Sequence, residues 1–306
     1  MDPVRVTVGE LAGLRRAAQA LRLWPQPRFA TGSGEHALFR GRGMEFAESR
    51  AYQPGDDIRA LDWRVTARTG RPHTKLFHEE RERPVLIGVD LRRAMFFATR
   101  GQFKSTLAAR IAALLAWAAF DHRDRLGGFV MTAAGLAEFK PRHSRQAVLQ
   151  WLGALAEMTQ GPASATATPV DSMTEWLLAL RRAVRPGSLI FLLSDFRGWD
   201  ATAEQHLAGV TAHSDLCLGL IHDPLESRLP PPGRYAICDP DGRRAVVHGG
   251  ATPAARLYAG RFEQRRAALV RFALAHRASL LEFPTTADPL RVLGAGIGLR
   301  LSKTHS

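Results

Sequence analysis

From Pro84 onward the apolar positions of the chain alternate between two periods. Val85 to Asp90 is a short β-branched and apolar run ending on a carboxylate, and Ser188 to Ser194 (SLIFLLS) is a second, closed by Asp195. Runs of that kind predict strands buried on both faces. Between them the period becomes helical. Residues 102–121 place Leu107, Ile111, Leu114, Leu115 and Ala118 on one face, and residues 144–158 do the same with Val148, Leu149, Leu152 and Leu155. Gly128 to Thr132 and Leu136 to Phe139 predict two strands around a turn at Ala134-Gly135. Ser172 and Glu175 have capping-box spacing and open a helix that stops before Pro186-Gly187. A helix over 201–212, a strand over Leu216 to Ile221, a hairpin over Arg234 to Val247, a long helix over 252–277 and a strand over Ser279 to Phe283 follow. This alternation predicts an α/β fold with a mostly parallel sheet and helices on both faces.

The segment before Pro84 reads differently. Thr7 and Glu10 have capping-box spacing ahead of Leu11, Leu14 and Leu21, which predicts a helix over 8–22 ended by Pro25 and Pro27. Residues 28–80 carry glycines, arginines and short apolar runs such as Ala37-Leu38-Phe39, the pattern of a β-rich or irregular subdomain. The expected organisation is an N-terminal subdomain over 1–83, an α/β domain over 84–285 with a hairpin insertion near 234–248, and a C-terminal tail over 286–306.

The chemistry concentrates at strand ends. In open α/β sheets ligands bind at the carboxyl ends of the strands, and Asp90 and Asp195 both fall there. Two carboxylates on one sheet edge make an oxygen-rich site suited to a hard divalent cation. His222, Asp223 and Glu226 follow a strand into a loop without a recognised ligand spacing, and read better as a structural turn. Gly294-x-Gly296-x-Gly298 lacks the strand–helix context and downstream acid of a dinucleotide site. There is no P-loop, no G-x-S-x-G elbow and no H-E-x-x-H pair, so a non-enzymatic role is expected. Cys217 and Cys238 lie in apolar strands and read as reduced, buried thiols. The N-terminus lacks the order of a secretory signal and no run approaches the roughly 18 apolar residues of a spanning helix, so a cytoplasmic location is expected. A net charge of +13 favours acidic partners, nucleic acid among them. Only four of the 42 basic residues are lysines, and the arginines are spread along the chain, as an arginine-rich genome alone would produce.

The stretch from Gly41 to Asp90 resembles the bacterial family called domain of unknown function 58. The resemblance is carried by Glu45-Phe46, Arg50-x-Tyr52-x-Pro54-Gly55-Asp56-Asp57, Arg59-x-x-Asp62-Trp63 and Ala67-Arg68, then by Glu79-Glu80 and the strand to Asp90. Ser194-Asp195-Phe196 and Asp223-Pro224-x-Glu226-x-x-Leu229-Pro230 continue it in family order. The resemblance implies a von Willebrand A-like, Rossmann-like domain of six strands. It also implies an adaptor role beside AAA+ ATPases of the MoxR type. Many members carry two N-terminal membrane helices, and this chain resembles the branch without them.

In the metal-binding version of that fold the first strand ends in D-x-S-x-S, and a loop threonine and a later aspartate complete the adhesion site. Here Asp90 is kept, but Arg92 and Ala94 stand where the serines belong. Asp195 matches the later aspartate, and Thr166 or Thr168 the threonine. Losing two hydroxyls and gaining a guanidinium both oppose Mg²⁺. The resemblance therefore implies a degenerate site without metal or other cofactor, in which Arg92, or else Arg93, reaches toward Asp90 and Asp195 in place of the cation. The alternative has both arginines in solvent and the carboxylates held by backbone amides. The segment from Arg50 to Trp63, with Tyr52, Gly55, Asp56, Asp57, Arg59 and Asp62, followed by Arg68, has two readings. One is a recognition surface for the ATPase; the other, favoured on sequence, is a salt-bridged brace with Trp63 buried. The leading expectation is a protein-interaction module that contacts a MoxR-type ATPase through loops 91–99, 161–170 and 196–200. The alternatives are a nucleic-acid-binding protein and, less favoured, a metal-dependent hydrolase around Asp90 and Asp195.

Overall fold

The computed structural model describes residues 2–21, 44–53, 61–79, 83–161, 173–227, 231–238, 244–250 and 253–298. In chain order the elements are α1 (Val8–Gly13), α2 (Arg15–Ala18), β1 (Met44–Ala51), α3 (Trp63–Thr69), β2 (His73–Glu79), β3 (Pro84–Leu91), α4 (Lys104–Asp121), β4 (Arg125–Thr132) and β5 (Gly135–Arg142). They continue as α5 (Arg145–Met158), α6 (Met173–Ala183), β6 (Leu189–Ser194), α7 (Ala201–Thr211), β7 (Asp215–His222), α8 (Pro224–Ser227), β8 (Arg234–Cys238), β9 (Arg244–His248), α9 (Pro253–Ala275), β10 (Ser279–Pro284) and α10 (Pro289–Gly298).

The chain divides into two units, one of residues 1–28 with 83–306 and one of residues 29–82. This corrects the expected boundary at residue 83, because the first helices belong to the larger unit. There Val6, Leu11, Ala18 and Leu21 are buried in the core. In the larger unit six strands run in the order β10-β7-β6-β3-β4-β5. All neighbours are parallel except β5, which returns antiparallel along β4. This is the mostly parallel α/β sheet, covered by helices on both faces, that the alternating periods predict.

Alternate residues of the apolar strands go to opposite faces. Val85, Ile87, Val89, Phe191 and Leu193 pack with α1, α2, α4, α5 and α10. Leu86, Ile190, Leu192, Leu218 and Leu220 pack with α6, α7 and α9. The helix α4 departs from the expected amphipathic pattern, since every residue from Lys104 to Ala119 is buried. Its outer side is closed by α1 and α2. The Trp117 indole donates to the Leu11 carbonyl at 3.1 Å, and Arg110 pairs with Glu10 at 2.7 Å. Thr7 caps α1 by accepting from the Glu10 amide at 3.2 Å, so the Glu10 carboxylate is what answers Arg110. Residues 289–298, within the expected tail, form α10, which buries Leu293 in the same core. Cys217 is a buried thiol on β7, whereas the Cys238 side chain lies outside the described residues.

The smaller unit pairs β1 antiparallel with β2, with a register shift between Phe46 and Glu48. Between them in sequence is α3, a helix inside the segment expected to be β-rich or irregular. Asp62 caps it by accepting from the amides of Arg64 at 3.1 Å and Val65 at 3.2 Å, and Gly70 ends it in the left-handed conformation (φ 72°).

Gly128 on β4 sits where neither the neighbouring strand nor α5 leaves room for a side chain. A Cβ there would meet the Ile87 carbonyl oxygen at 2.2 Å and the Trp151 ring at 2.9 Å. Gly153 on α5 has nothing within 4 Å of the same position. Gly128→Ala is expected to destabilise the larger unit by about 1–3 kcal/mol, whereas Gly153→Ala is expected to stabilise it by about 0.5–1 kcal/mol. Urea unfolding of the two variants checks both signs; a neutral Gly128→Ala would contradict the packing.

Candidate functional site

Parallel register brings the carboxyl ends of β3, β6 and β7 side by side, with Val89 opposite Leu193 and Ser194 opposite Leu220. Asp90 and Asp195 therefore arrive at one edge, each essentially without solvent exposure. Two bare carboxylates in that setting would repel one another and lose hydration. The structure supplies cations from the chain itself.

Asp90 is held by Arg92, whose Nη2 donates to Oδ2 at 2.8 Å and whose Nε donates to Oδ1 at 3.1 Å. The Arg92 amide donates to the same carboxylate at 2.9 Å and the Ser194 hydroxyl at 2.6 Å. The Arg92 Nη2 also donates to the Arg197 carbonyl at 3.0 Å, tying the loop after β3 to the loop after β6. Asp195 is held by Lys104, the first residue of α4, whose Nζ lies 2.8 Å from Oδ2 and 3.2 Å from Glu226 Oε1. Lys104 is fully buried. Arg197 closes the cluster from outside, at 3.2 Å from Asp195 and 2.7 Å from Glu226, with 43% of its side chain exposed. Three cations thus meet three carboxylates. Asp223 lies beside them on hydroxyl and amide donors: Thr99 Oγ1 at 2.6 Å, the Thr99 amide at 2.7 Å and Thr285 Oγ1 at 3.0 Å.

These contacts set the protonation states. Burial pushes the Asp195 carboxyl up, and the Lys104 and Arg197 charges more than reverse it, to about 2. Burial likewise raises Asp223, but its hydrogen bonds from Thr99 carry it below the usual carboxylate range. Desolvation lowers Arg197, and Asp195 with Glu226 overcomes this to raise it. The His222 imidazole, its ring tilted against Phe262 at a centroid distance of 5.1 Å, is lowered by burial despite the nearby Glu282 and Glu226.

Of the residues singled out on sequence, Asp90, Arg92 and Asp195 enter this cluster, and Ala94 lies in the short 3₁₀ turn Arg93–Met95 beside it. Thr166 and Thr168 lie outside the described residues, as do Gly55, Asp56, Asp57 and Arg59. Arg50 is on β1 opposite Thr74, and the Tyr52 amide donates to the Pro72 carbonyl at 2.9 Å. Trp63 corrects the brace reading: it is 69% exposed, not buried, because it sits on the first turn of α3 and no core forms over it. Arg68 is exposed on the same helix. Sequence reading missed Lys104, Ser194, Arg197 and Glu226 as a set. The available signal was a lysine, in a chain with four, at the head of an apolar helix. Among the described residues no three His, Cys, Asp or Glu side chains converge as a metal-ligand group.

Lys104→Met would leave Asp195 and Glu226 facing Arg197 alone. It is expected to cost about 3–5 kcal/mol, and Glu226→Gln in the same chain is expected to recover part of that by restoring the charge balance. Denaturant unfolding of the single and double variants measures the coupling; strict additivity would contradict the cluster. Acidification should act in two stages. An imidazole whose folded value lies below 6.5 is protonated first in the unfolded chain, so stability falls as pH drops below about 6.5. The depressed Asp195 contributes stability that is present above its ordinary 3.8 and lost as pH falls toward about 2. Unfolding free energies between pH 8 and 2 check this, and His222→Gln should flatten the upper stage.

Among curated proteins the chain is 32% identical over 210 residues to the uncharacterized protein Mb1516 of Mycobacterium bovis, covering 67% of this chain and 64% of that protein. It thus spans just under two thirds of the length of this relative. Among solved structures it is similar to the conserved hypothetical protein BatB from Bacteroides thetaiotaomicron, at 12% identity and a TM-score of 0.45, covering 72% of this chain and all of that one. A von Willebrand factor type A protein from Catenulispora acidiphila matches at 14% identity and a TM-score of 0.39, covering 74% of this chain and 43% of that one. The family model described as protein of unknown function DUF58 matches residues 48–268. With that span, the chain belongs to the DUF58 family.

Proposed function

We propose that this chain is a non-enzymatic protein-interaction module, a partner of a MoxR-type AAA+ ATPase, whose metal-adhesion loop has been closed by its own cations. The observation that carries the reading is Lys104, a fully buried ammonium between Asp195 and Glu226 at the edge where a von Willebrand A-like domain would hold a metal. With Arg92 on Asp90 as well, the residues present do not fit a divalent cation, because each carboxylate already faces a positive charge. A hydrolase at Asp90 and Asp195 would first have to expel both cations. Recognition at this edge then rests on direct side-chain contacts from the loops at 91–99 and 196–200, where Arg197 offers the exposed charge. The third expected loop, 161–170, falls almost wholly outside the described residues. No helix among the described residues is long and apolar enough to cross a membrane.

The test is capture of a MoxR-type ATPase from the same genome by the immobilised chain, without nucleotide, at low and moderate salt and with or without Mg²⁺. The expected outcome is capture that survives moderate salt and is indifferent to Mg²⁺. Loss of capture at moderate salt would instead favour a partner held by charge alone, with nucleic acid foremost. In parallel, millimolar Mg²⁺ should leave the melting temperature unchanged. A concentration-dependent rise would show that the site takes metal and sink the closed-loop reading.

A further inference from the structure

We infer that the exposed face of α3 is a second interaction surface, which takes an acidic protein segment bearing an apolar side chain among its carboxylates. Trp63 leaves 69% of its surface in solvent, the largest exposed aromatic of the described residues. An isolated exposed leucine is ordinary, but an exposed tryptophan is a large apolar surface of the kind that anchors protein interfaces. Arg64 and Arg68, four residues apart and so on one helical face, are both exposed, and Arg71 is exposed in the turn that follows. Ala67, one turn after Trp63, is exposed too and leaves the ring approachable along the helix. None of the three arginines makes an ion pair among the described residues. The adjacent acid, Asp62, is 6% exposed and accepts from the Arg64 and Val65 amides.

The face therefore combines a flat apolar ring with three guanidinium groups that make no ion pair among the described residues. Tryptophan and arginine are the residue types most enriched at binding hot spots, and arginine engages carboxylates through paired hydrogen bonds. A single-stranded nucleic acid is served less well. It needs a row of aromatic platforms along a basic groove, and α3 presents one ring on a seven-residue helix. The inference rests on the interaction-module reading only in requiring a protein partner; it does not depend on the identity of the ATPase.

The test uses the full chain and two fluorescein-labelled twelve-residue peptides of equal charge, one of aspartates and glutamates with a central leucine, the other with serine at that position. An oligothymidine of matched charge serves as the third probe. Fluorescence anisotropy should show tighter binding of the leucine peptide. Trp63→Ala should erase that preference, Trp63→Phe should keep most of it, and Arg64→Glu with Arg68→Glu should weaken both peptides by about tenfold or more. Unchanged far-UV circular dichroism and melting would show that the exposed substitutions leave the fold intact. Equal binding of the two peptides, indifference to the substitutions, or an oligothymidine that binds tighter and is lost with the same residues would overturn the inference. None of these readouts involves the ATPase, so failure here is distinguishable from failure to capture it.

Discussion

A buried charge must be answered where it sits, and in the larger unit this constraint is met by Lys104. The ammonium is fully buried at the start of α4, where the apolar helix meets the carboxyl ends of β6 and β7. It is satisfied only if Asp195 closes β6 on that side and Glu226 turns back from α8. The same demand fixes the loops. Arg92 spans from Asp90 to the Arg197 carbonyl, and Asp223 binds Thr99 after β3 and Thr285 after β10. The sheet edge is thus cross-linked by charge and hydrogen bonding. Such buried pairs contribute little net stability compared with apolar packing, but they penalise misplaced loops severely. Their effect is to define geometry.

The sheet was legible in the sequence because its signals are local. Val85 to Asp90 and Ser188 to Ser194 are apolar on both faces, and helical period separates them. The faces of α4 were not. Leu107, Ile111 and Leu114 marked an inward stripe, but the burial of the opposite side depends on α1 and α2, some hundred residues earlier, and no periodicity carries that information. For the same reason the first helices were grouped with the wrong unit.

The site divides the same way. Asp90, Arg92 and Asp195 could be named because they sit at strand ends and because the family pattern marks those positions. Glu226 was visible but without a partner, and Lys104 fell inside the helix predicted over 102–121 with no role of its own. Joining them needs the parallel register of β6 and β7, a long-range property. Trp63 failed for a different reason. Tryptophan is normally credited to a core, and only the placement of α3 shows that this one is not covered.

The cover over α4 also bears on how the chain reaches its fold. Glu10 and Arg110 lie a hundred residues apart, as nearly do Leu11 and Trp117. During synthesis α1 and α2 leave the ribosome long before the helix they shelter on exists. Their apolar sides, including Leu11 and Ala18, must wait through the synthesis of the whole smaller unit and of β3. Contacts of such separation form late and slowly, and the interval exposes a sticky segment to other chains. The helices that seal the native core are therefore also a point of vulnerability in the nascent chain, where a chaperone that shields apolar surface would change yield without altering the finished structure.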